Sequence, residues 1–265
     1  MNPQERREQL LTWIARHGTA SIQQLAQVLH VSEMTVRRDL RILQQAHLLQ
    51  SIPGGAEVKK SATELAFDVK RRLHRDEKEA IAAKALELID SDMTIAFSAG
   101  TTTWAVAHRI RGFQQLTFVT NSTNIALELQ QNGWTQIVLT GGNFRTPSDA
   151  LVGPFAEYTA RHLHTDVLFL GVHGLDVEAG MTTPNIQEAA IDRVLIEQAQ
   201  KVVVVMDHSK WGIKALARIA PIEMVDAIIT TRTPHVQAHI AACERLGIEV
   251  FTATLPDQGS KEEPL

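Results

Sequence analysis

The stretch VSEMTVRRDL, residues 31–40, decides the fold of the N-terminal part of the chain. It opens a segment, 32–46, in which Val36, Leu40 and Leu43 recur at the spacing of one helix face. The sequence therefore predicts an amphipathic helix, and Ser32 is well placed to cap its N-terminus. The remaining faces of this helix carry threonine and arginine.

Two further helices precede this one. The first is expected over 3–16 and ends before Gly18; the second follows Ser21 with apolar residues at helical spacing. A short link, His30-Val31, joins the second helix to the third. A short helix, a turn and a helix with exposed arginines are typical of a helix-turn-helix that reads the major groove of DNA. On this reading, the candidate DNA contacts are Ser32, Met34, Thr35, Arg37, Arg38 and Arg41.

The segment that follows predicts a small β-wing. Residues 47–58, HLLQSIPGGAEV, contain two short extended pieces around a Pro-Gly-Gly turn. A three-helix bundle that uses arginine for solubility is the alternative, and helical spacing alone does not exclude it. Charge favours DNA: residues 1–75 carry a balance of +5 and the rest −9, within a net charge of −4.

From residue 76 onward the pattern changes to short apolar runs that alternate with helical segments. The seven runs are MTIAFS, LTFVT, QIVLT, DVLFLG, KVVVVM, DAIITT and IEVFTA. Nearly continuous apolar strands between helices predict a parallel sheet covered on both faces. The fold class is therefore α/β, with an N-terminal winged helix-turn-helix followed by a doubly wound, mostly parallel α/β domain.

Five of these strands lead into loops rich in small polar residues: AGTTT, NSTN, GGNFR, VHGLD and DHSK. Ligands of doubly wound domains bind outside the carboxyl ends of the strands, where such loops meet. In the first loop, Gly100 followed by Thr101, Thr102 and Thr103 opens a helix, and such an N-terminus suits a phosphate. A plain N-capped helix remains the alternative.

The domain boundaries predicted are 1–56 for the winged helix-turn-helix, 57–75 for a linker, 76–253 for the α/β domain and 254–265 for a disordered tail. Neither a membrane-spanning apolar run nor a signal peptide is visible, and the single cysteine, Cys243, lies in an apolar helical stretch. We therefore expect a cytoplasmic protein without a membrane partner, and we assign it no cofactor, no metal site and no catalytic residue.

The N-terminal motifs make a family resemblance specific. Arg6, Leu10 and Ile14, the stretch VSEMTVRRDL and the GGA of the wing resemble the DNA-binding signature of the DeoR family of bacterial regulators. Within that stretch, Asp39 is expected to pair with a neighbouring arginine. The chain departs from the family just before the GGA, where Ser51, Ile52 and Pro53 replace the usual arginine and histidine, so wing contacts to DNA from those positions are in doubt.

The C-terminal part also resembles this family, whose sensor domain is related to ribose-5-phosphate isomerase and usually senses phosphorylated sugars. The matching segments include SAGTTT, TGG, GMTTPNIQEAA and DHSK. Carried over by position, the resemblance implies these effector contacts: Ser98, Gly100, Thr101, Thr102, Thr103, Asn121, Gly141, Gly142, Glu188, Asp207 and Lys210. Ser98 stands where the family often has aspartate. For Glu188 the alternative is an ordinary solvent-facing position on a helix.

The protein is expected to be a DNA-binding transcriptional regulator. The family resemblance implies that it represses carbohydrate-metabolism genes. Its partners would be double-stranded operator DNA, a phosphorylated sugar and copies of itself in a dimer or tetramer. The main alternative is a sugar-phosphate isomerase with a DNA-binding head, using Glu188 as base and Lys210 or His173 as electrophile. Against it, Asp176 and Glu178 lack the spacing of the isomerases' acidic loop. A third hypothesis, a structural nucleoid protein, fits poorly with the net negative charge of residues 76–265.

Overall fold

The computed structural model describes residues 3–17, 19–45, 49–57 and 67–255, which divide into two compact units, 1–73 and 74–265. The first unit contains α1 (Pro3–His17), β1 (Thr19–Ser21), α2 (Ile22–Leu29), α3 (Glu33–Gln45), β2 (Gln50–Ile52), β3 (Gly55–Glu57) and α4 (Phe67–Arg72). The three predicted helices are present. Of the predicted linker, 57–75, residues 58–66 lie outside the described part of the chain, and α4 occupies 67–72. The predicted tail lies mostly outside it as well.

Local sequence explains where the helices of the first unit begin and end. Ser21 and Gln24 form a capping box, in which each backbone amide donates to the other side chain at 3.0–3.2 Å. His30 ends α2 in the left-handed conformation, with φ 52°. The core of the unit buries the apolar stripes of all three helices, including Leu10, Leu25 and Val36.

The wing is larger than the sequence predicted. Strands β2 and β3 pair antiparallel around Pro53-Gly54, and β1 pairs with β3 on the other side, giving the order β1-β3-β2. Gly55 faces β1 so closely that an added Cβ would collide with the carbonyl oxygen of Ala20. Strand β1 is three residues long, which is too short for a period-two pattern to reveal.

The second unit contains α5 (Arg75–Ala85), β4 (Thr94–Phe97), α6 (Thr101–Arg109), β5 (Thr117–Thr120), α7 (Thr123–Gln131), β6 (Ile137–Leu139), β7 (Asn143–Arg145), β8 (Ala150–Val152), α8 (Pro154–Arg161), β9 (Thr165–Leu170), β10 (Gly174–Asp176), β11 (Gly180–Thr183), α9 (Ile186–Glu197), β12 (Ala199–Val205), β13 (Ala217–Ala220), β14 (Ala227–Thr231), α10 (Gln237–Arg245) and β15 (Glu249–Ala253). The seven predicted strands are β4, β5, β6, β9, β12, β14 and β15. Helices α5 and α8, the hairpin β7–β8 and the sheet β10-β11-β13 were not predicted from the sequence.

Within the described residues, the seven predicted strands form one fully parallel sheet in the order β15-β14-β12-β9-β4-β5-β6. Alternate residues of each strand enter two separate cores: Val167 and Phe169 of β9 face one, while Leu168 and Leu170 face the other. Helices α5, α6 and α7 cover the first face, and α8, α9 and α10 cover the second. The doubly wound α/β fold is thus confirmed. Chain order reverses between β4 and β9, so their carboxyl ends mark the topological switch point.

Candidate functional site

The exposed face of α3 carries the basic residues expected of a recognition helix. Arg37, Arg38 and Arg41 are exposed, and Met34 is 75% exposed, while the residues of the apolar stripe are buried. Arg37 makes an ion pair of 3.4 Å with Glu33, one turn earlier. This surface can present guanidinium donors to bases or phosphates, in the arrangement that major-groove recognition requires.

The hydroxyl groups at the start of α3 have a structural role. The Ser32 Oγ accepts a hydrogen bond of 3.2 Å from the backbone amide of Thr35, and the two hydroxyl oxygens lie 2.9 Å apart. Ser32 therefore caps the helix, as predicted. Both side chains also reach the surface, so the cap and a phosphate contact are compatible.

Asp39 pairs with an arginine, and the partner comes from another helix. The Arg6 Nε lies 2.5 Å from the Asp39 Oδ2, and Arg7 approaches the other carboxylate oxygen at 3.6 Å. Asp39 is 2% exposed, so its charge does not face the solvent. The pair ties α1 to the inner side of α3 and holds α3 against the core of the first unit.

In the second unit, the loops after β4 and β9 meet at the switch point. The Ser98 Oγ accepts a hydrogen bond of 2.9 Å from the amide of Gly171, and Ser98 is fully buried. Gly100 has extended backbone, with φ 175°, so its conformation does not require glycine. An added Cβ would nevertheless lie 3.0 Å from the Thr103 Oγ1, which leaves little space beside the first turn of α6.

The three threonines of that turn differ in their contacts. The Thr103 Oγ1 lies 2.8 Å from the carbonyl oxygen of Ser98 and 2.9 Å from that of Gly100, so its hydroxyl is engaged by the backbone. Among the described residues, none makes a hydrogen bond to the hydroxyl of Thr101 or Thr102. No side chain caps α6, so its first backbone amides have no side-chain acceptor, and amides of this kind can bind an anion.

Asn121 and the glycine pair hold neighbouring loops together. The Asn121 Oδ1 accepts a hydrogen bond of 2.9 Å from the amide of Ala99, and its Nδ2 donates to the carbonyl oxygen of Leu151 at 3.3 Å. At Gly142, with φ 112°, an added Cβ would lie 2.7 Å from the Val152 oxygen, whereas Gly141 faces open space. Gly142 therefore permits close packing within the protein.

Glu188 lies in a polar network and is not an ordinary surface residue. Its Oε1 is 2.9 Å from the Arg145 Nη1 and accepts a hydrogen bond from Ser148, while its Oε2 accepts one of 3.1 Å from Thr183. The side chains of Arg145 and Glu188 are 20% and 12% exposed. Sequence analysis missed Arg145, although it ends the predicted loop GGNFR and brings a cation to this network.

Glu188 also influences a second carboxyl group on the same helix. Asp192, one turn further along α9, is 7% exposed. Burial, together with the nearby negative charge of Glu188, raises the pKa of Asp192 well above its ordinary value. A neutral carboxyl group can donate a hydrogen bond where a carboxylate cannot.

Asp207 and Lys210 follow β12 at the same edge of the sheet. Asp207 is buried, and its Oδ1 accepts hydrogen bonds from the amide and the hydroxyl of Ser209 at 3.0 and 2.5 Å. Burial opposes ionisation of Asp207, but the charges of Lys210, His74 and Lys78 outweigh it and lower the pKa. Lys210 is half-buried.

The residues of the isomerase alternative have other contacts. The Asp176 Oδ1 accepts hydrogen bonds from the amides of Glu178 and Ala179 at 3.0 and 2.9 Å, which closes the turn between β10 and β11. The same oxygen lies 3.2 Å from the Lys214 Nζ. Asp176 therefore organises a β-turn, and the side chain of Glu178 is 90% exposed.

Each of the two units matches the model of a known domain family. Residues 6–62 match the model of the DeoR-like helix-turn-helix domain, and residues 73–232 match that of the DeoR C terminal sensor domain. The chain belongs to the DeoR family. It is accordingly a transcriptional regulator with an N-terminal DNA-binding domain.

Similar DeoR-family proteins match along most of their length. The chain is 37% identical to the HTH-type transcriptional regulator GlpR of Haloferax volcanii, over 88% of this chain and 91% of that protein. It is 30% identical to the glycerol-3-phosphate regulon repressor of Escherichia coli K12, over 89% and 94%. Ribose 5-phosphate isomerase A of Methanocaldococcus jannaschii shares 17% identity over 52% of this chain and 54% of the isomerase, with a TM-score of 0.39. A similarity of that extent says nothing about activity.

Within the part of the chain that the structure describes, no helix combines the length and apolar character needed to cross a bilayer.

Proposed function

We propose that this DeoR-family regulator is a repressor whose operator binding is weakened by a phosphorylated sugar. The observation that carries the DNA part is the exposed face of α3, with three arginines opposite a buried apolar stripe. Arg38 and Arg41 contribute no ion pair within the described residues, so their charges are available to an anionic partner.

The ligand part of the proposal places phosphate at the N-terminus of α6. Support comes from the uncapped first turn at the switch point and from the hydroxyls of Thr101 and Thr102. A relative that is 30% identical is the glycerol-3-phosphate regulon repressor of Escherichia coli K12, and its name is consistent with a small phosphorylated ligand. In this proposal the buried or engaged residues shape the site, namely Ser98, Thr103, Asn121, Gly142 and Asp207. The other predicted contacts face the ligand: Gly100, Thr101, Thr102, Gly141, Glu188 and Lys210.

We propose binding without turnover. Asp176 is engaged in a β-turn, and Glu188 accepts hydrogen bonds from three side chains, so neither is arranged as an unengaged base. Incubation of the full-length protein with ribose 5-phosphate and related sugar phosphates tests this. Isomerised product formed at enzyme-like rates would revive the alternative of an isomerase with a DNA-binding head.

Effector and operator binding must be coupled if the two units work together. A ligand changes DNA affinity only when it binds DNA-competent and DNA-incompetent states unequally, and such coupling is typically about 5–150-fold. The test uses a labelled duplex selected from a random pool by the full-length protein, and measures its anisotropy with and without a panel of sugar phosphates. The unphosphorylated parent sugars are the matched control.

We expect a phosphorylated compound to weaken the complex and its parent to have no effect. A tighter complex would reverse the proposed sign, and a complete absence of response across the panel would contradict the sensor role. Excess duplex should weaken binding of the same compound by the same factor, because the coupling is reciprocal.

A further inference from the structure

A cluster of two histidines and a carboxylate lies at the carboxyl ends of β12 and β14, and of its members only Asp207 is also a predicted effector contact. One ligating atom from each of His74, Asp207 and His208 lies within 4.8 Å of those of the other two. His74 immediately precedes α5, His208 follows β12, and Asp207 is buried beside it. Two imidazoles and a carboxylate are a donor set that Zn²⁺ and similar transition ions prefer.

Glu77 gives this cluster the second set of contacts that metal-binding histidines usually have. Its Oε1 lies 2.9 Å from the His74 Nδ1, and its Oε2 lies 2.7 Å from the His208 Nδ1. A carboxylate can only accept here, so each Nδ1 carries a proton, and Nε2 is the nitrogen that would bind a metal ion, with any proton on it displaced. A carboxylate that orients the ring in this way is a recurrent feature of zinc sites.

Glu77 is itself held in place. It accepts a hydrogen bond from the Thr231 hydroxyl at the end of β14, and that hydroxyl also accepts one of 3.2 Å from the amide of His208. The two imidazole rings meet edge to face, with centroids 5.2 Å apart. Three separate parts of the chain, the start of α5 and the ends of β12 and β14, therefore position both rings.

We propose that His74, Asp207 and His208 form a binding site for a divalent transition-metal ion, with Zn²⁺ as the ion that fits best. Three protein ligands leave one tetrahedral position for water or another oxygen donor. Nitrogen donors favour this class of ion over Mg²⁺ and Ca²⁺, which take oxygen ligands. The ion must compete for Asp207 with the positive charges of Lys78 and Lys210. This inference does not depend on the proposed sugar-phosphate effector.

The test is a titration of the full-length protein with Zn²⁺, and with Co²⁺ as a spectroscopic probe, after removal of metal with a chelator. Competition against a chromophoric chelator measures affinity, and the visible absorption of Co²⁺ reports its coordination. His74→Gln and His208→Gln remove one ligand each, and Glu77→Gln changes only the group that orients them. His162→Gln is the matched control, since it removes an exposed histidine from the end of α8.

We expect the wild type to bind one equivalent of Zn²⁺ and to give a tetrahedral Co²⁺ spectrum. Each ligand variant should lose at least about tenfold in affinity, and Glu77→Gln should lose about 10–100-fold, while His162→Gln keeps the wild-type value. Thermal unfolding of the metal-free proteins shows whether each variant folds. Absence of Zn²⁺ binding by the wild type, or unchanged binding by both folded ligand variants, would overturn the proposal.

Discussion

Arg6 of the first helix and Asp39 of the recognition helix form a partly buried ion pair, with 2.5 Å between Nε and Oδ2. The side chains are 14% and 2% exposed. Loss of one partner from such a pair leaves the other charge poorly solvated, which costs more than an exposed pair contributes. The contact therefore links the stability of the first unit to the position of α3, whose exposed face carries Arg37, Arg38 and Arg41.

Replacement of Asp39 by Asn should destabilise the first unit by about 3 kcal/mol, because Arg6 then loses its charged partner. Hydrogen exchange of the amides in α1 and α3, measured in the full-length protein, reports this unit separately from the rest. Glu33→Gln is the matched control, since it breaks an exposed ion pair on the same helix and should change exchange little. Equal protection in the two variants would contradict a stabilising role for the buried pair.

Substitution of Arg38 by Ala should weaken binding to a selected duplex by about 1–3 kcal/mol if the side chain reads a base. Arg37→Ala should behave similarly, apart from the loss of its exposed pair with Glu33. Anisotropy titrations at several salt concentrations separate the possible roles. A loss that is uniform across sequences, with a shallower salt dependence, assigns the residue to phosphate.

Arg245→Ala, in α10 of the second unit, is the control for a general change of charge. It should leave duplex affinity unchanged. Wild-type affinity in the double variant of Arg37 and Arg38 would show that α3 is not the recognition helix.

The threonines of α6 should separate ligand binding from folding. Thr102→Val removes a hydroxyl that makes no hydrogen bond within the described residues, so it should weaken a phosphorylated effector roughly tenfold and leave stability nearly unchanged. Thr103→Val removes a buried hydroxyl that donates to the carbonyl oxygen of Ser98 or of Gly100, and the loss of that hydrogen bond should cost about 1–3 kcal/mol of stability. Calorimetry and thermal unfolding measure the two effects. A Thr102→Val variant that lost stability but kept the wild-type effector affinity would rule out a phosphate contact from Thr102.

Asp192→Asn should stabilise the second unit at neutral pH. Burial and the charge of Glu188 raise the pKa of Asp192 in the folded state above the ordinary value of 3.8, so the folded state is penalised where the group must ionise. The penalty is greatest above the raised pKa, and it falls as the pH is lowered through that pKa toward 3.8. Melting temperatures of wild type and variant should therefore converge at acidic pH, and a constant difference would argue against this titration.

Cys243 should resist alkylation in the folded protein. Its side chain is buried, and burial, assisted by the charge of Glu244, raises the pKa of the thiol to about 11. Because the thiolate is the reactive form, iodoacetamide should modify it slowly near pH 8 and rapidly after unfolding in urea. Mass spectrometry of the native and unfolded protein measures the two rates, and similar rates would contradict the burial of this residue.

Much of the fold could be predicted because its signals are local. All seven strands of the parallel sheet are short apolar runs, since a strand covered on both faces has apolar side chains on both. The helix-turn-helix follows from apolar spacing and from caps such as Ser21 and Ser32. Strand β1 could not be predicted, because a three-residue strand has no period of its own and this one forms only by pairing with β3, far along the chain. The strands of the hairpin β7–β8 are equally short and have no period of their own, although they pair with each other across a short turn.

The location of the candidate ligand site could be predicted from the sequence, but the roles of its individual side chains mostly could not. By itself, the sequence determined which strands have polar loops at their carboxyl ends, and hence that Gly100, Asn121 and Asp207 lie at one edge of the sheet. Only the tertiary structure decided which polar groups are engaged by the protein. Asn121 binds Ala99 22 positions away, Arg145 meets Glu188 across 43 positions, and Glu77 reaches His208 across 131. Hydrogen bonds and ion pairs act over a few ångströms in space regardless of chain separation, so no local pattern encodes these partners.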